Sequence, residues 1–127
     1  MQSTKALLKR RILVVDDNID AALVLSMCLS ACGHETAVAY DGREGIDLAE
    51  SFEPEIIFLD LGMPQMSGYE VATELRRRPK LAGVYIAALT GWNDPKTREK
   101  VLAAGFDKHM TKPAVMDEVL ELVDHLS

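Results

Sequence analysis

Five residues of this 127-residue sequence stand out because each follows directly on a short apolar run. Asp16 and Asp17 follow Ile12-Leu-Val-Val15, Asp60 follows Glu55-Ile-Ile-Phe-Leu59, Thr90 follows Val84-Tyr-Ile-Ala-Ala-Leu89, and Lys112 comes just after Phe106 to Met110. Three carboxylates brought together resist ionisation unless a cation joins them. A hard divalent ion relieves that repulsion, and Mg²⁺ prefers oxygen ligands while keeping several of its waters. An anionic Asp60 is a weak nucleophile toward a phosphoryl group that is itself anionic. Mg²⁺ and Lys112 would neutralise the charge that accumulates as such a group passes over, and Thr90 could donate a hydrogen bond to one of its oxygens. The set therefore suits phosphoryl transfer to a carboxylate. Taken singly, each residue has an ordinary reading. An Asp pair after a strand commonly caps a helix, and the neighbouring Asn18 could cap as well. Asp60 ahead of Gly62 and Pro64 could be a turn residue, Thr90 before Gly91 a loop former, and Lys112 before Pro113 a solvated lysine. Only their joint placement favours chemistry.

That placement depends on the elements. Ile12 to Val15 is β-branched and apolar without polar alternation, the pattern of a strand covered on both faces. Asp20 to Cys32 is apolar nearly all round and stops at Gly33, a helix C-terminal signal. Thr36 to Tyr40 reads as a second strand, and Asp41-Gly42 turns it into a helix through Ile46, Leu48 and Ala49. Pro54 precedes the third strand, Glu55 to Leu59, read as the central one. Ser67-Gly-Tyr-Glu70 is a capping box opening a helix through Val71, Ala72 and Leu75. That helix ends in Arg76-Arg77-Arg78 before Pro79, where basic residues suit the dipole better than they suggest a binding patch. Gly83 leads into the fourth strand. Asp94-Pro95 opens a helix running to Gly105, with Asp at the N-cap and Pro at the first helical position. Phe106 to Met110 is a short fifth strand, and Val115, Val119, Leu122 and Leu126 recur at helical spacing after Pro113. Strand and helix alternate five times with short connections, which implies a doubly wound α/β domain with a mostly parallel sheet and helices on both faces. Functional sites in such folds lie outside the carboxyl ends of the strands, where all five residues fall.

Bulk properties bound the partners. The length fits one domain, and 48% hydrophobic with 27% charged residues fits a packed core. A formal net charge of −6 disfavours direct contact with nucleic acid. No apolar run approaches the roughly 20 residues that cross a bilayer, so no membrane insertion is expected. The first residues lack a signal-peptide core, and the expected location is the cytoplasm. Cys28 and Cys32, four apart on one helix face, read as buried free thiols.

With these residues in place, the chain resembles the receiver domain of bacterial two-component response regulators, over nearly its whole length. The resemblance rests on Arg11-Ile-Leu-Val-Val-Asp-Asp17, Leu59-Asp-Leu-Gly-Met-Pro64 with Gly68, Ala88-Leu-Thr-Gly91, and Thr111-Lys-Pro113. It implies an N-terminal extension over 1–10, a receiver domain over 11–127, and the flavodoxin-like strand order 2-1-3-4-5. It implies that Asp60 is the phospho-acceptor and that Asp17 ligates Mg²⁺ directly. Asp16 would do so largely through water, with the Gly62 carbonyl as a further ligand. Lys112, ahead of a cis Lys112-Pro113 bond, would contact the phosphoryl group, and Thr90 would move toward it and pull its loop inward. The phosphodonor would be a histidine kinase or histidine phosphotransfer protein. The fourth helix, fifth strand and fifth helix would form an output face for a downstream protein. One departure concerns the residue three before the lysine, usually Tyr or Phe and here His109. It puts the coupling between Thr90 and that face in question. Gly62 and Trp92 hold the two flanking positions that in this family influence loss of the phosphoryl group, and Trp92 reads either as a lid or as an exposed loop aromatic. The Gly105 to Pro113 stretch is also similar to receivers attached to hybrid sensor kinases.

The chain is thus expected to be a phospho-acceptor that assists its own phosphorylation and dephosphorylation, and not an enzyme with turnover. The enzymatic alternative is a phosphatase of the haloacid-dehalogenase type. It would have its acids as Asp-x-Asp after the first strand, and a cap domain for which no chain is left. A flavin-binding module of the flavodoxin type would need a phosphate-cradling loop where Asp16-Asp17-Asn18 stands. A scaffold with the same fold that binds partners without phosphorylation is the remaining alternative.

Overall fold

The computed structural model describes residues 9–126, so most of the 1–10 extension read from the sequence lies outside the described residues. The chain runs β1 (Arg11–Val15), α1 (Ile19–Ala31), β2 (Glu35–Ala39), α2 (Gly42–Phe52), β3 (Ile56–Asp60), α3 (Gly68–Arg77), β4 (Tyr85–Thr90), α4 (Pro95–Ala103), β5 (Lys108–Thr111) and α5 (Met116–His125). All strand pairs are parallel and the order is β2-β1-β3-β4-β5, so β3 is central, as its uninterrupted apolar run implies.

Successive residues of the central strands serve opposite faces, because a strand's side chains alternate. Leu13, Val15, Ile57, Leu59, Ile86 and Ala88 pack with Ile46, Ala49, Val71, Leu75 and Val101 of α2, α3 and α4. Ile12, Val14, Ile56, Phe58, Ala87 and Leu89 pack with Leu25, Leu29, Val119 and Val123 of α1 and α5. Two cores therefore clamp the sheet and leave only its edges for chemistry.

Caps set where each helix begins. Asn18 accepts the Ala21 N–H, Asp41 accepts the Glu44 N–H, and Ser67 and Glu70 close the expected capping box. Gly33 (φ 98°) follows the end of α1 in the left-handed region, where a side chain would be strained. Gly68 matters differently: a Cβ there would stand 2.4 Å from the Asp60 carbonyl oxygen, so only glycine lets α3 start against the end of β3.

The structure corrects several local readings. Asp94 sits at the N-cap of α4, yet its carboxylate accepts from the Thr97 hydroxyl (2.6 Å) and no backbone N–H is capped by it. Strand β5 begins at Lys108 because Phe106 turns into the core beside Tyr69. A 3-10 turn over Pro79–Leu81 was not legible, since Arg78 already breaks the helix and Leu81 is buried only by tertiary packing. Val115 is the exposed N-cap of α5, and one turn beyond Val119 the fully buried residue is Val123, with Leu122, expected on that face, only half-buried. Both cysteines are free, but neither is buried: Cys28 is half-buried, and Cys32 is exposed because it caps α1 beyond the sheet's cover. The arginine run does more than complement a dipole. Arg76 donates to the carbonyls of Gly105, Ala82 and Val84 and pairs with Asp107 at 2.8 Å, while Arg78 bridges Glu50 and Glu74.

Candidate functional site

At the carboxyl edge of the sheet, the ends of β1 and β3 bring Asp16, Asp17 and Asp60 together, one oxygen of each lying within 4.8 Å of the others. Asp16 and Asp60 are 2% and 3% exposed, whereas Asp17 faces solvent. Lys112, just past β5, reaches across with its Nζ 2.9 Å from Asp60 Oδ1 and 3.5 Å from Asp16 Oδ2. Because Asn18 supplies the cap of α1, neither Asp16 nor Asp17 is spent on that task. The Asn18 N–H instead donates to Asp16 Oδ1 at 3.0 Å, and the Gly62 N–H donates to Asp60 Oδ1 at 3.2 Å.

The acids do not ionise alike. Burial opposes the charged form of Asp60, but the Lys112 ammonium and the Gly62 N–H outweigh it, and its carboxyl lies below the usual range. Burial raises Asp16, aided by the neighbouring Asp60 charge and only partly countered by the Asn18 N–H. Asp17 is raised as well, by partial burial and by Asp60. Lys112 is partly buried yet held above its ordinary value by Asp60 and Asp16. The site thus keeps an ionised Asp60 and leaves Asp16 and Asp17 short of positive charge. Clustered hard oxygen donors with uncompensated charge are a donor set for a hard divalent cation.

Thr90, the last residue of β4, is 4% exposed. Its Oγ1 accepts the Trp92 N–H at 3.1 Å, and its carbonyl accepts the Lys112 N–H at 2.7 Å. A cleft opens over these groups, lined by Asp17, Asp60, Gly62, Thr90, Trp92 and Lys112. Trp92 stands at its rim and is 72% exposed, so it borders the cleft without roofing it. Lys112-Pro113 is cis, as the resemblance implies. His109, whose role the sequence left in question, contacts the Trp92 carbonyl through Nε2 at 3.0 Å.

Asp16, Asp17, Asp60, Gly62, Thr90 and Lys112, the site residues read from the sequence, all lie at this edge. Sequence reasoning missed the far wall, where Tyr69, Thr97 and Lys100 line the same cleft and Lys100 Nζ sits 5.4 Å from the centre of the Tyr69 ring. Tyr69 follows Gly68 at the start of α3, and that position within the capping box was the available signal. Lys100 carried none, since it meets Tyr69 only through the packing of α4 on α3.

Comparison with known proteins agrees with this geometry. Residues 12–124 match the family described as "Response regulator receiver domain". The DNA-binding dual master transcriptional regulator RpaA of Synechocystis is 32% identical over 113 residues, which is 89% of this chain and 47% of that protein. Chemotaxis protein CheY4 of Vibrio cholerae superposes with a TM-score of 0.88 at 27% identity, covering 94% of this chain and 100% of that one. The receiver domain of the Saccharomyces cerevisiae response regulator Ssk1, solved with the histidine phosphotransfer signaling protein Ypd1, gives a TM-score of 0.83 at 27% identity, covering 91% and 86%. The chain spans about half the length of several curated relatives that it matches. It belongs to the response regulator receiver domain family.

Proposed function

We propose that this receiver domain is a Mg²⁺-dependent switch that accepts a phosphoryl group on Asp60 from a histidine kinase or histidine phosphotransfer protein. The observation that carries the reading is a 3%-exposed Asp60 with Lys112 Nζ at 2.9 Å and two further carboxylates close by. An Asp60 carboxylate oxygen attacks the phosphorus of a phosphohistidine. The O–P bond forms as the N–P bond breaks, and the imidazole nitrogen leaves with the bonding pair. Lys112 neutralises charge on the incoming group, and Thr90 donates its hydroxyl proton to a phosphoryl oxygen. Asp16, Asp17, Asp60 and the Gly62 carbonyl would hold Mg²⁺, which would supply charge neutralisation and orientation for the same oxygens. Hydrolysis of the acyl phosphate by water resets the switch, so the protein assists its own chemistry without turning over a substrate.

The donor's docking face has support beside the site. Ile19, Leu23, Val24 and Met27 leave an exposed apolar stripe along α1, and the groove between α1 and the segment after Lys112 is lined by Val24, Leu25, Pro113 and Met116 as well as Asp16 and Lys112. A helical partner carrying a phosphohistidine fits such a surface. Output would pass through α4, β5 and α5, where Leu102, Val115 and Leu122 border a groove over β5. We place the protein in the cytoplasm. Among the described residues no helix is long and apolar enough to cross a membrane.

The test is intact mass after incubation with acetyl phosphate and Mg²⁺, for the parent, Asp60→Asn and a chelated sample. One added phosphoryl group that requires Mg²⁺ and Asp60 is expected. If neither an adduct nor beryllofluoride binding is found, the phospho-acceptor reading falls and a scaffold becomes the better account. Steady turnover of small phosphate esters would instead favour the phosphatase.

A further inference from the structure

In an in-line transfer the atom that leaves phosphorus stands on the side away from the attacking Asp60 oxygen. Asp60 is buried at the floor of the cleft, so that side faces outward, toward the rim. Two helices build the outer wall there. Thr97 and Lys100 stand three apart on α4 and share one face of it, and Tyr69 meets them from the start of α3. Tyr69 is half-buried, and its ring meets Phe106 edge-on, with centroids 6.3 Å apart and planes at 88°. Phe106 belongs to the core, which makes the Tyr69 ring a fixed platform. The Lys100 ammonium sits over that ring, 5.4 Å from its centre, where the π face attracts a cation without neutralising it. No carboxylate neutralises it either. Among the described residues Lys80 and Lys112 form ion pairs and Lys100 forms none, and Asp94 at the head of α4 gives its carboxylate to the Thr97 hydroxyl. The cleft therefore holds two cations: Lys112 against the acceptor carboxylate at the floor, and Lys100 at the mouth with its charge uncommitted.

We propose that Lys100 is a donor-specificity residue: from its seat on the Tyr69 ring it stabilises the negative charge that develops on the leaving group of an acyl phosphate. This rests on Asp60 being the phospho-acceptor. An Asp60 oxygen attacks the phosphorus, the new O–P bond forms as the acyl O–P bond breaks, and the leaving oxygen keeps the bonding pair as a carboxylate. No proton is needed, so charge builds on that oxygen as the bond breaks, and a cation facing it lowers the barrier. Donors with a P–N bond differ. Their leaving group already carries a proton and departs as neutral ammonia or neutral imidazole, so Lys100 meets no developing anion. Lys112 cannot make this distinction, because it acts on phosphoryl oxygens common to both donor classes.

The test compares the parent with Lys100→Gln and Lys100→Arg, each with Mg²⁺ and with acetyl phosphate or phosphoramidate as donor. Lys100 is exposed, so both variants should keep the parent's melting temperature. Lys100→Gln is expected to lower the second-order rate constant for acetyl phosphate by about twofold to fivefold, the worth of one exposed charge pair, and to leave that for phosphoramidate unchanged. Lys100→Arg keeps the cation on the ring and should retain the parent's preference. A series of ring-substituted benzoyl phosphates, equal in charge, separates this role from plain attraction of anionic donors. The loss in Lys100→Gln should be largest for the donor whose carboxylate is the poorest leaving group. Equal losses with acetyl phosphate and phosphoramidate, equal losses across the benzoyl series, or no loss at all would overturn the proposal while leaving Asp60 as acceptor. If the parent takes no phosphoryl group from either donor and binds no beryllofluoride, the phospho-acceptor reading falls first and takes this role with it.

Discussion

At the edge where the strands begin, nearly every charge meets its opposite. Arg10 pairs with Glu55 and donates to the Leu126 carbonyl, and Arg11 pairs with Glu35 and donates to the Phe52 carbonyl. Arg76 closes the loops before β4 and β5 through three carbonyls and Asp107. At the edge where the strands end, three carboxylates face one lysine, and two of them lie above their ordinary pKa. One sheet therefore carries a satisfied edge and a strained one. The difference separates what keeps the domain folded from what lets it react: unbalanced charge is costly, and it persists where a ligand is meant to balance it.

The comparison can be broken first at Lys112. Lys112→Ala should lower the phosphorylation rate by about a hundredfold or more at saturating Mg²⁺, because it removes the ammonium that stands 2.9 Å from Asp60 Oδ1. Radiolabelled or mass-resolved single-turnover kinetics would check this, and a loss under tenfold would mean that the lysine only balances Asp60. Gly68→Ala probes the junction beneath the site. With a Cβ driven to 2.4 Å from the Asp60 carbonyl, we expect destabilisation by about 3 kcal/mol in urea titration.

Arg76→Ala tests the opposite edge. Leaving the Gly105 and Val84 carbonyls and Asp107 without their donor should cost about 2 kcal/mol, with phosphorylation per folded molecule unchanged. A loss of phosphorylation there would show that the two edges are coupled. Asp16→Asn should act the other way in chelator. The raised folded pKa of Asp16 means that its ionisation opposes folding as pH rises through that value, so removing the charge should raise the neutral-pH melting temperature by a few degrees. The stabilisation conferred by Mg²⁺ should shrink in the same variant, as calorimetry would show.

The smallest effect lies at His34, buried below β1 with its Nδ1 accepting the Arg10 N–H at 3.2 Å. Burial holds its pKa below 6.5, so its contribution is complete above that pH and is lost as pH falls through the lower folded value. His34→Asn keeps an acceptor and cannot charge, and should flatten this part of the stability–pH curve. An unchanged curve would mean that acid sensitivity resides in Asp60, whose depressed pKa makes its contribution present above 3.8 and lost below.

The sequence by itself determined the alternation of elements, the central place of β3, the cap at Ser67, the turn at Asp41-Gly42, and the five residues of the site. Each rests on local chemistry: β-branched runs, turn residues, and side chains placed directly after a strand. Tertiary structure alone decided that Asn18 caps α1 and so frees both aspartates, because which of three adjacent polar residues caps depends on the angle at which the chain leaves the sheet. It alone turned Phe106 inward, put Cys32 in solvent, set Lys100 over Tyr69 and tied His109 to the Trp92 carbonyl. These contacts join residues far apart in sequence through the packing of helices on a twisted sheet, which residue type and spacing do not encode.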